Sequence, residues 1–306
     1  MAQPSVEIHD PRGAGLLAAQ AQPERICSGC IWTEGPLVLP WDGSLLFSDI
    51  PNNRILRWRG AGEPEVWKQP SNFANGRTLD RAGHVITCEH GGRRISRTRR
   101  DGHYEVVVDR YRGRRLNSPN DVVVRQADGS IWFTDPPYGI ESDYEGYKAD
   151  REQDGNHVYR FDPATGALAV VADDFDRPNG LAFSPDGRRL YIADSGASLG
   201  AAYPDPFVAN RPRHIRVFDV APDGSLSGDR VFVTIDAGVP DGLRVDRDGR
   251  VWTSAWDGAR CYAPQGDLLL KILLPEFTSN LVIDDRGPRQ MFITASSSVY
   301  RVRLAD

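Results

Sequence analysis

One segment plan is written six times along this chain. The stretches from Leu37 (LVLPWDGSLLFSD), Arg77 (RTLDRAGHVITCEH), Val122 (VVVRQADGSIWFTD), Leu181 (LAFSPDGRRLYIAD), Leu243 (LRVDRDGRVWTSAW) and Leu281 (LVIDDRGPRQMFIT) share it. An alternating apolar strand runs into a turn, usually Asp-Gly, and a second alternating strand rich in β-branched and aromatic residues follows; each is a hairpin. Most copies continue into a third strand (ILRWRG, RISRTRRDG, HVYRFDPATG, HIRVFDVAPDG), and a fourth apolar strand follows (EVVVDR, ALAVVAD, DRVFVTID). Copies begin about 40 to 60 residues apart, which is room for a four-stranded meander. No window holds apolar residues at i, i+3, i+4 and i+7 for three turns. A lone four-stranded sheet cannot bury both faces, so the sheets must pack radially. The pattern predicts an all-β fold, a six-bladed β-propeller of four-stranded antiparallel blades in a single domain. Two β-sandwiches would need a linker, and no break in composition supplies one. The longer copies place insertions at Tyr138 to Asn156 and at Ser195 to Pro212. Residues 26–306 are expected to form the propeller. Residues 1–25 read as an N-terminal extension, either a loose tail or, through VEIHD from Val6, a blade-closing strand.

Composition removes several classes. Of 306 residues, 40% are hydrophobic and 26% charged, which excludes a disordered chain, a collagen-like repeat and a disulfide-dense mini-protein. No apolar run approaches the roughly 20 residues of a membrane helix. The N-terminus lacks the basic start and continuous apolar stretch of a secretory signal, so a cytoplasmic location is expected. A net charge of −5 argues against nucleic acid as a partner, and the cluster Arg93, Arg94, Arg97, Arg99, Arg100 reads as a solvated strand face. Cys27 and Cys30 form a lone Cys-x-x-Cys without a second pair at zinc spacing, and read as structural.

The positions just before the innermost strands, where blade entrances converge on the channel, carry the chemistry. In register they are Glu34 (TEGPL), Asn75 (ANGRT), Asn120 (SPNDVVV), Asn179 (RPNGLAF), Asp241 (VPDGLRV) and Asn280 (TSNLVI). Asn or Asp before Gly suits a tight turn. That does not account for Glu34, nor for Asn120, which precedes Asp and Val. A ring of carboxylate and amide oxygens is what a hard divalent cation prefers, and thiolates and imidazoles are missing from it.

The second strands end at the same rim with Asp49, Glu89, Asp135, Asp194 and Trp256, where the acidic residues read in part as a structural feature of the repeat. His90 breaks that pattern and is a candidate for proton transfer, set against satisfied packing. There is no Gly-x-Ser-x-Gly elbow, no Gly-rich phosphate loop before a helix and no His-Glu-x-x-His.

Taken together and in order, TEGP, SPND, FTDPPYG, RPNGLAFSPDG and PDGLRVD resemble the senescence marker protein/gluconolactonase/luciferin-regenerating enzyme family, with CEHGGRR closer to its bacterial gluconolactonase branch. The resemblance runs from about Ile26 to Leu304. It implies a six-bladed propeller with a divalent cation in its channel, held by Glu34, Asn179 and Asp241, with Asn120 as a further ligand or substrate contact. Calcium is the first expectation, with zinc, magnesium, manganese or iron as alternatives. The activity expected is metal-dependent hydrolysis of a gluconolactone-like sugar lactone to its aldonic acid. Asp241 would serve as base and His90 as proton shuttle, while Asn75, Asn120, Arg93 and Tyr138 would bind sugar hydroxyls. The insertion from Tyr138, with Tyr144 and Tyr147, would form a lid. The expected partner is a small sugar lactone, on a monomer or small homo-oligomer with neither nucleic acid nor membrane. Rival readings are a lactonase or phosphotriesterase acting on non-sugar substrates, and a non-catalytic metal-binding propeller.

Overall fold

The Asp-Gly turns do what their chemistry asks. Gly43, Gly129, Gly187 and Gly249 all sit at positive φ, a region that costs glycine nothing. At the first of these turns the preceding carboxylate closes the loop, with Asp42 Oδ1 accepting from the Ser44 backbone N at 3.0 Å; Asp128 does the same for Ser130 at 2.9 Å. Hairpins so fixed extend into six antiparallel sheets. In the computed structural model, which describes residues 3–306, the first blade comprises Thr33–Val38, Leu45–Asp49, Arg54–Trp58 and Glu65–Lys68. The innermost strands of the other five are Ala74–Leu79, Val122–Val124, Pro178–Phe183, Leu243–Val245 and Thr278–Asp284. Each innermost strand touches the next, and the sixth returns to the first, so the ring is closed. The second strands are buried on both faces, as Leu45–Asp49, Ile131–Asp135 and Val251–Ala255 show. Apolar clusters fill the wedges between blades; Trp252, Cys261 and Leu270 of the fifth meet Ile293 and Tyr300 of the sixth.

Ring closure differs from expectation. The sixth blade has only three strands of its own, and the strand completing it is Glu24–Cys27, antiparallel to Val299–Arg303. This strand straddles the expected boundary at residue 25. The segment from Val6 lies elsewhere: Ser5–Ile8 pairs with Leu268–Leu273 as a fifth strand on the fifth blade. The reason is reach. Between the two strands Leu16 and Leu17 pack on the cluster that these blades share, so the earlier strand falls on the earlier blade. Cys27 is buried in the closing strand and Cys30 is partly buried; both are free thiols that burial pushes up, to about 11 and about 12. Among the described residues no helix is long and apolar enough to cross a membrane.

Four innermost strands carry a β-bulge close to the blade entrance. The ladder skips one residue between Glu34 and Leu37, between Ala74 and Arg77, between Pro178 and Leu181, and between Thr278 and Asn280. A bulge re-aims side chains, and these four bear Glu34, Asn75, Asn179 and Asn280.

Candidate active site at the channel mouth

The six blade entrances bring Glu34, Asn75, Asn120, Asn179 and Asp241 to one cavity of about 270 Å³ at the mouth of the channel. The glycines that follow four of the six entrance residues are required by this convergence, not by turns. A Cβ on Gly180 would stand 2.3 Å from the Asp241 carbonyl oxygen, and one on Gly242 would stand 2.1 Å from Asn280 Oδ1. Neighbouring inner strands are stitched at the same points, with Gly180 N donating to Asp241 O at 3.1 Å and Gly242 N to Ser279 O at 2.8 Å.

Five of the six entrance oxygens face the cavity. The sixth, on Asn280, supports another: its Nδ2 donates to Glu34 Oε2 at 3.0 Å, where Gly35 N also donates at 2.7 Å. Glu34 Oε1 has no hydrogen-bond partner among the described residues. Among the described residues, no arginine or lysine lines the cavity. Burial, with Asp121 nearby, pushes the Glu34 carboxyl up to about 7. Asp241 is held well above the ordinary carboxylate range by burial and by the charges of Glu34, Glu145 and Asp121. Nearby carboxylates repel one another, and at Glu34 the Arg244 guanidinium offsets this only in part.

The expected substrate residues divide. Tyr138 lines the cavity from a short helical turn, Tyr138–Glu141, pinned by the Arg177 guanidinium, which grips Glu141 at 2.9 and 2.8 Å and lies over the Tyr138 ring. Arg93 does not reach the cavity. Its backbone is at φ 53, its Nε donates to Leu116 O at 2.7 Å, and its Nη1 pairs with Glu152 at 3.4 Å. His90 is also absent from the lining. It is wholly buried behind Asn75, whose Nδ2 donates to His90 Nε2 at 3.2 Å, while His90 Nδ1 donates to the Glu145 carbonyl at 3.1 Å. Those two bonds fit one neutral tautomer, and burial pushes the imidazole down to about 4.

Sequence reasoning missed Glu145, which the insertion after Tyr138 hangs over the cavity beside Tyr144. Burial and the Glu34 and Glu141 charges push its carboxyl up to about 8. Its signal was faint, since nothing in the repeat has a counterpart for residue 145. Tyr147 of the same insertion packs edge-on against Phe73 with ring centroids 5.1 Å apart. The second insertion adds Ser198 and Tyr203 to the wall, and Trp256 and Phe277 complete it.

Three of the four acidic strand ends are structural clamps. Asp49 accepts from Ile31 N at 3.0 Å, Asp135 from Asn117 N at 2.8 Å, and Asp194 from Arg177 N at 3.0 Å. Each ties the loop entering its own blade.

The donor set fits a divalent cation. Among the described residues no three His, Cys, Asp or Glu side chains form a ligating group, but the cavity floor presents the oxygens of Glu34 and Asp241 beside the amides of Asn120 and Asn179. Hard cations accept such mixed carboxylate and amide oxygen sets.

The profile of the SMP-30/Gluconolactonase/LRE-like region matches residues 32–297. A gluconolactonase of Zymomonas mobilis is 32% identical over 324 residues, covering 96% of this chain and 84% of the relative. The solved structure of a gluconolactonase from Xanthomonas campestris superposes with a TM-score of 0.88 at 35% identity, covering 99% of this chain and 95% of that one. A luciferin-regenerating enzyme shares the fold, with a TM-score of 0.67 at 17% identity over 98% and 95% of the two chains.

Proposed function

The chain belongs to the SMP-30/Gluconolactonase/LRE-like family, and from that premise we propose that its channel mouth hydrolyses a sugar lactone to the aldonic acid, with one divalent cation, calcium first, held by Glu34, Asn120, Asn179 and Asp241. The convergence of those four side chains on one cavity floor carries the reading. A bound cation supplies Lewis-acid polarisation of the lactone carbonyl and the positive charge that keeps the facing carboxylates ionised.

The chain's own groups do the rest. Asp241, the carboxylate that faces the cavity from the fifth entrance, takes a proton from the water that attacks the lactone carbon. The carbon–ring oxygen bond then breaks, and the proton passes to the leaving oxygen, giving a hydroxy acid. Asn75 commits one amide N–H to His90, which leaves its carbonyl oxygen to accept from a substrate hydroxyl. His90 acts on Asn75 as a positioning residue: its Nε2 is occupied by the amide and its Nδ1 by the Glu145 carbonyl. Tyr138, Tyr144 and Glu145 form the wall against which the substrate is held.

Proton release in weak buffer, with chelator-stripped protein and a panel of aldonolactones, tests the reading. Hydrolysis restored by a divalent ion, and lowered at least ~100-fold by Asp241→Asn with the fold intact, is the expected result. An Asp241→Asn variant that keeps most of its rate would remove the base.

A further inference from the structure

The mouth carries a second feature that the polar floor does not use. Four large aliphatic side chains exposed on the molecule, Ile8, Val66, Val106 and Val231, lie on the outermost strands of their blades, where scattered apolar residues are ordinary. Of the four exposed aromatic side chains among the described residues, Tyr203 and Phe277 line the cavity and Phe207 packs on Trp256, which also lines it. Tyr147 sits on the lid, while Tyr203 (38% exposed), Phe207 (36%) and Phe277 (47%) gather on one side with Ile31 (45%) and Trp256. Their arrangement is fixed. Phe277 and Trp256 have ring centroids 5.1 Å apart at 38°, and Phe207 meets Trp256 edge-on at 5.7 Å. The indole is seated on Gly238, where a Cβ would come within 2.2 Å of the ring. Trp256 and Phe277 also line an outer groove of about 750 Å³ with Leu274 and Pro275, so the same two rings wall both cavity and groove. Across the cavity the wall is Tyr138, Tyr144 and Glu145.

We propose that this rim is a subsite for an apolar, aryl-sized substituent on the lactone, so that the preferred substrate is a polyhydroxylated lactone ring bearing such an arm. This rests on the lactonase reading above. The ring would sit on the amide and carboxylate floor, and the arm would leave the mouth between Ile31, Tyr203 and Phe277. Continuity decides for a substrate arm: Tyr203, Trp256 and Phe277 line the reaction cavity itself, so a group seated between them would adjoin a lactone held on Glu34, Asn120, Asn179 and Asp241. Aromatic area already held in fixed geometry loses little freedom when it is covered, and an offset or edge-on ring is its natural complement.

The test compares kcat/KM for glucono-1,5-lactone and its 6-O-benzyl ether, in the wild-type protein and in Phe277→Ser and Tyr203→Ser. The ratio of the two lactones cancels any general loss of folded or metal-loaded protein. Expected is a roughly tenfold advantage for the benzyl ether in the wild type, carried by KM and largely lost in either variant. Equal kcat/KM for both lactones, or a ratio that neither variant moves, overturns the proposal while leaving the lactonase reading intact. If the wild-type protein opens neither lactone, the lactonase reading falls and the subsite with it. A chain that sediments as a dimer dissociated by Phe277→Ser, with the substrate ratio unmoved, would give the rim to a second copy and overturn the proposal.

Discussion

The carboxylates at the mouth are set against their own ionisation. Glu34 is pushed up to about 7 and Glu145 to about 8, and Asp241 is held well above the ordinary carboxylate range by burial and by the charges of its neighbours. A carboxyl whose folded pKa lies above its unfolded value binds more protons in the folded state. Its contribution to stability is therefore full at acid pH and is lost as pH rises through the folded pKa. The cation-free protein should lose thermal stability between about pH 5 and pH 8. A divalent cation at the floor opposes this, because it binds the ionised form and stabilises only the folded chain. Added calcium should then raise Tm by more at pH 8 than at pH 5, by a difference of at least roughly 2 °C, measured by calorimetry on chelator-treated protein. Equal increments at the two pH values would contradict the assignment of Glu34 and Asp241 to the cation. Asp135, pushed up to about 7 away from the cavity, adds to the slope of the cation-free protein at both calcium levels and cancels from the comparison. His90 shows the limit of reading residues singly. Its departure from the repeat was visible in the sequence, but its role depends on whether an amide stands between it and the cavity, and only the fold places Asn75 there.

At the scale of the strand, the glycines after the entrance residues say most. In sequence, Asn-Gly and Asp-Gly look like turn chemistry; in the fold, Gly180 and Gly242 lie where adjacent inner strands come within bonding distance. Gly180→Ala should destabilise the protein by about 1–3 kcal/mol, since a methyl facing the Asp241 carbonyl must move backbone. Activity should fall along with stability, because the displaced carbonyl belongs to the proposed base. Gly287→Ala, where a Cβ would meet nothing within 4 Å, is the matched control and should be neutral. Denaturant melts of both variants decide it: equal midpoints would mean the inner strands can part without cost. The same elements show what was legible. Hairpins, their turns and five of the cavity-facing oxygens follow from the repeat, because each copy repeats one local rule. The bulges at Glu34, Asn75 and Asn179 do not show in the pattern, since one extra residue leaves alternation intact on either side. The lid is less legible still. Glu145 enters the cavity because Gly139 and Gly146 let the insertion fold back upon itself, with a Cβ at Gly146 only 2.1 Å from the Gly139 carbonyl, and no period announces such a contact.

For the whole molecule, the ring is held shut by one short strand far from its partner in sequence. Glu24 pairs with Arg301, Arg25 with Tyr300 and Cys27 with Val299, and Cys27 sits in the apolar cluster with Phe292, Val299 and Trp58 that joins the sixth blade to the first. The ion pair of Arg301 with Glu24, at 2.6 Å, is solvent-exposed at the glutamate and adds little. Removing this strand would leave Val299–Arg303 as a bare edge beside an opened cluster, a template for aggregation. Ser5–Ile8 is a different case, because the fifth blade has four strands without it. Two truncations separate the two strands. A chain beginning at residue 10 loses only the added strand and should still melt cooperatively, a few degrees lower. A chain beginning at residue 28 should lose cooperative melting or aggregate on expression, and its mouth should lose activity, since Glu34 is carried by the blade that the closing strand abuts. Circular dichroism melts and gel filtration of both chains give the readout. If the shorter chain melted like the longer one, closure would have to come from the inner-strand contacts alone, and the Glu24–Cys27 strand would be an ornament on a ring already shut.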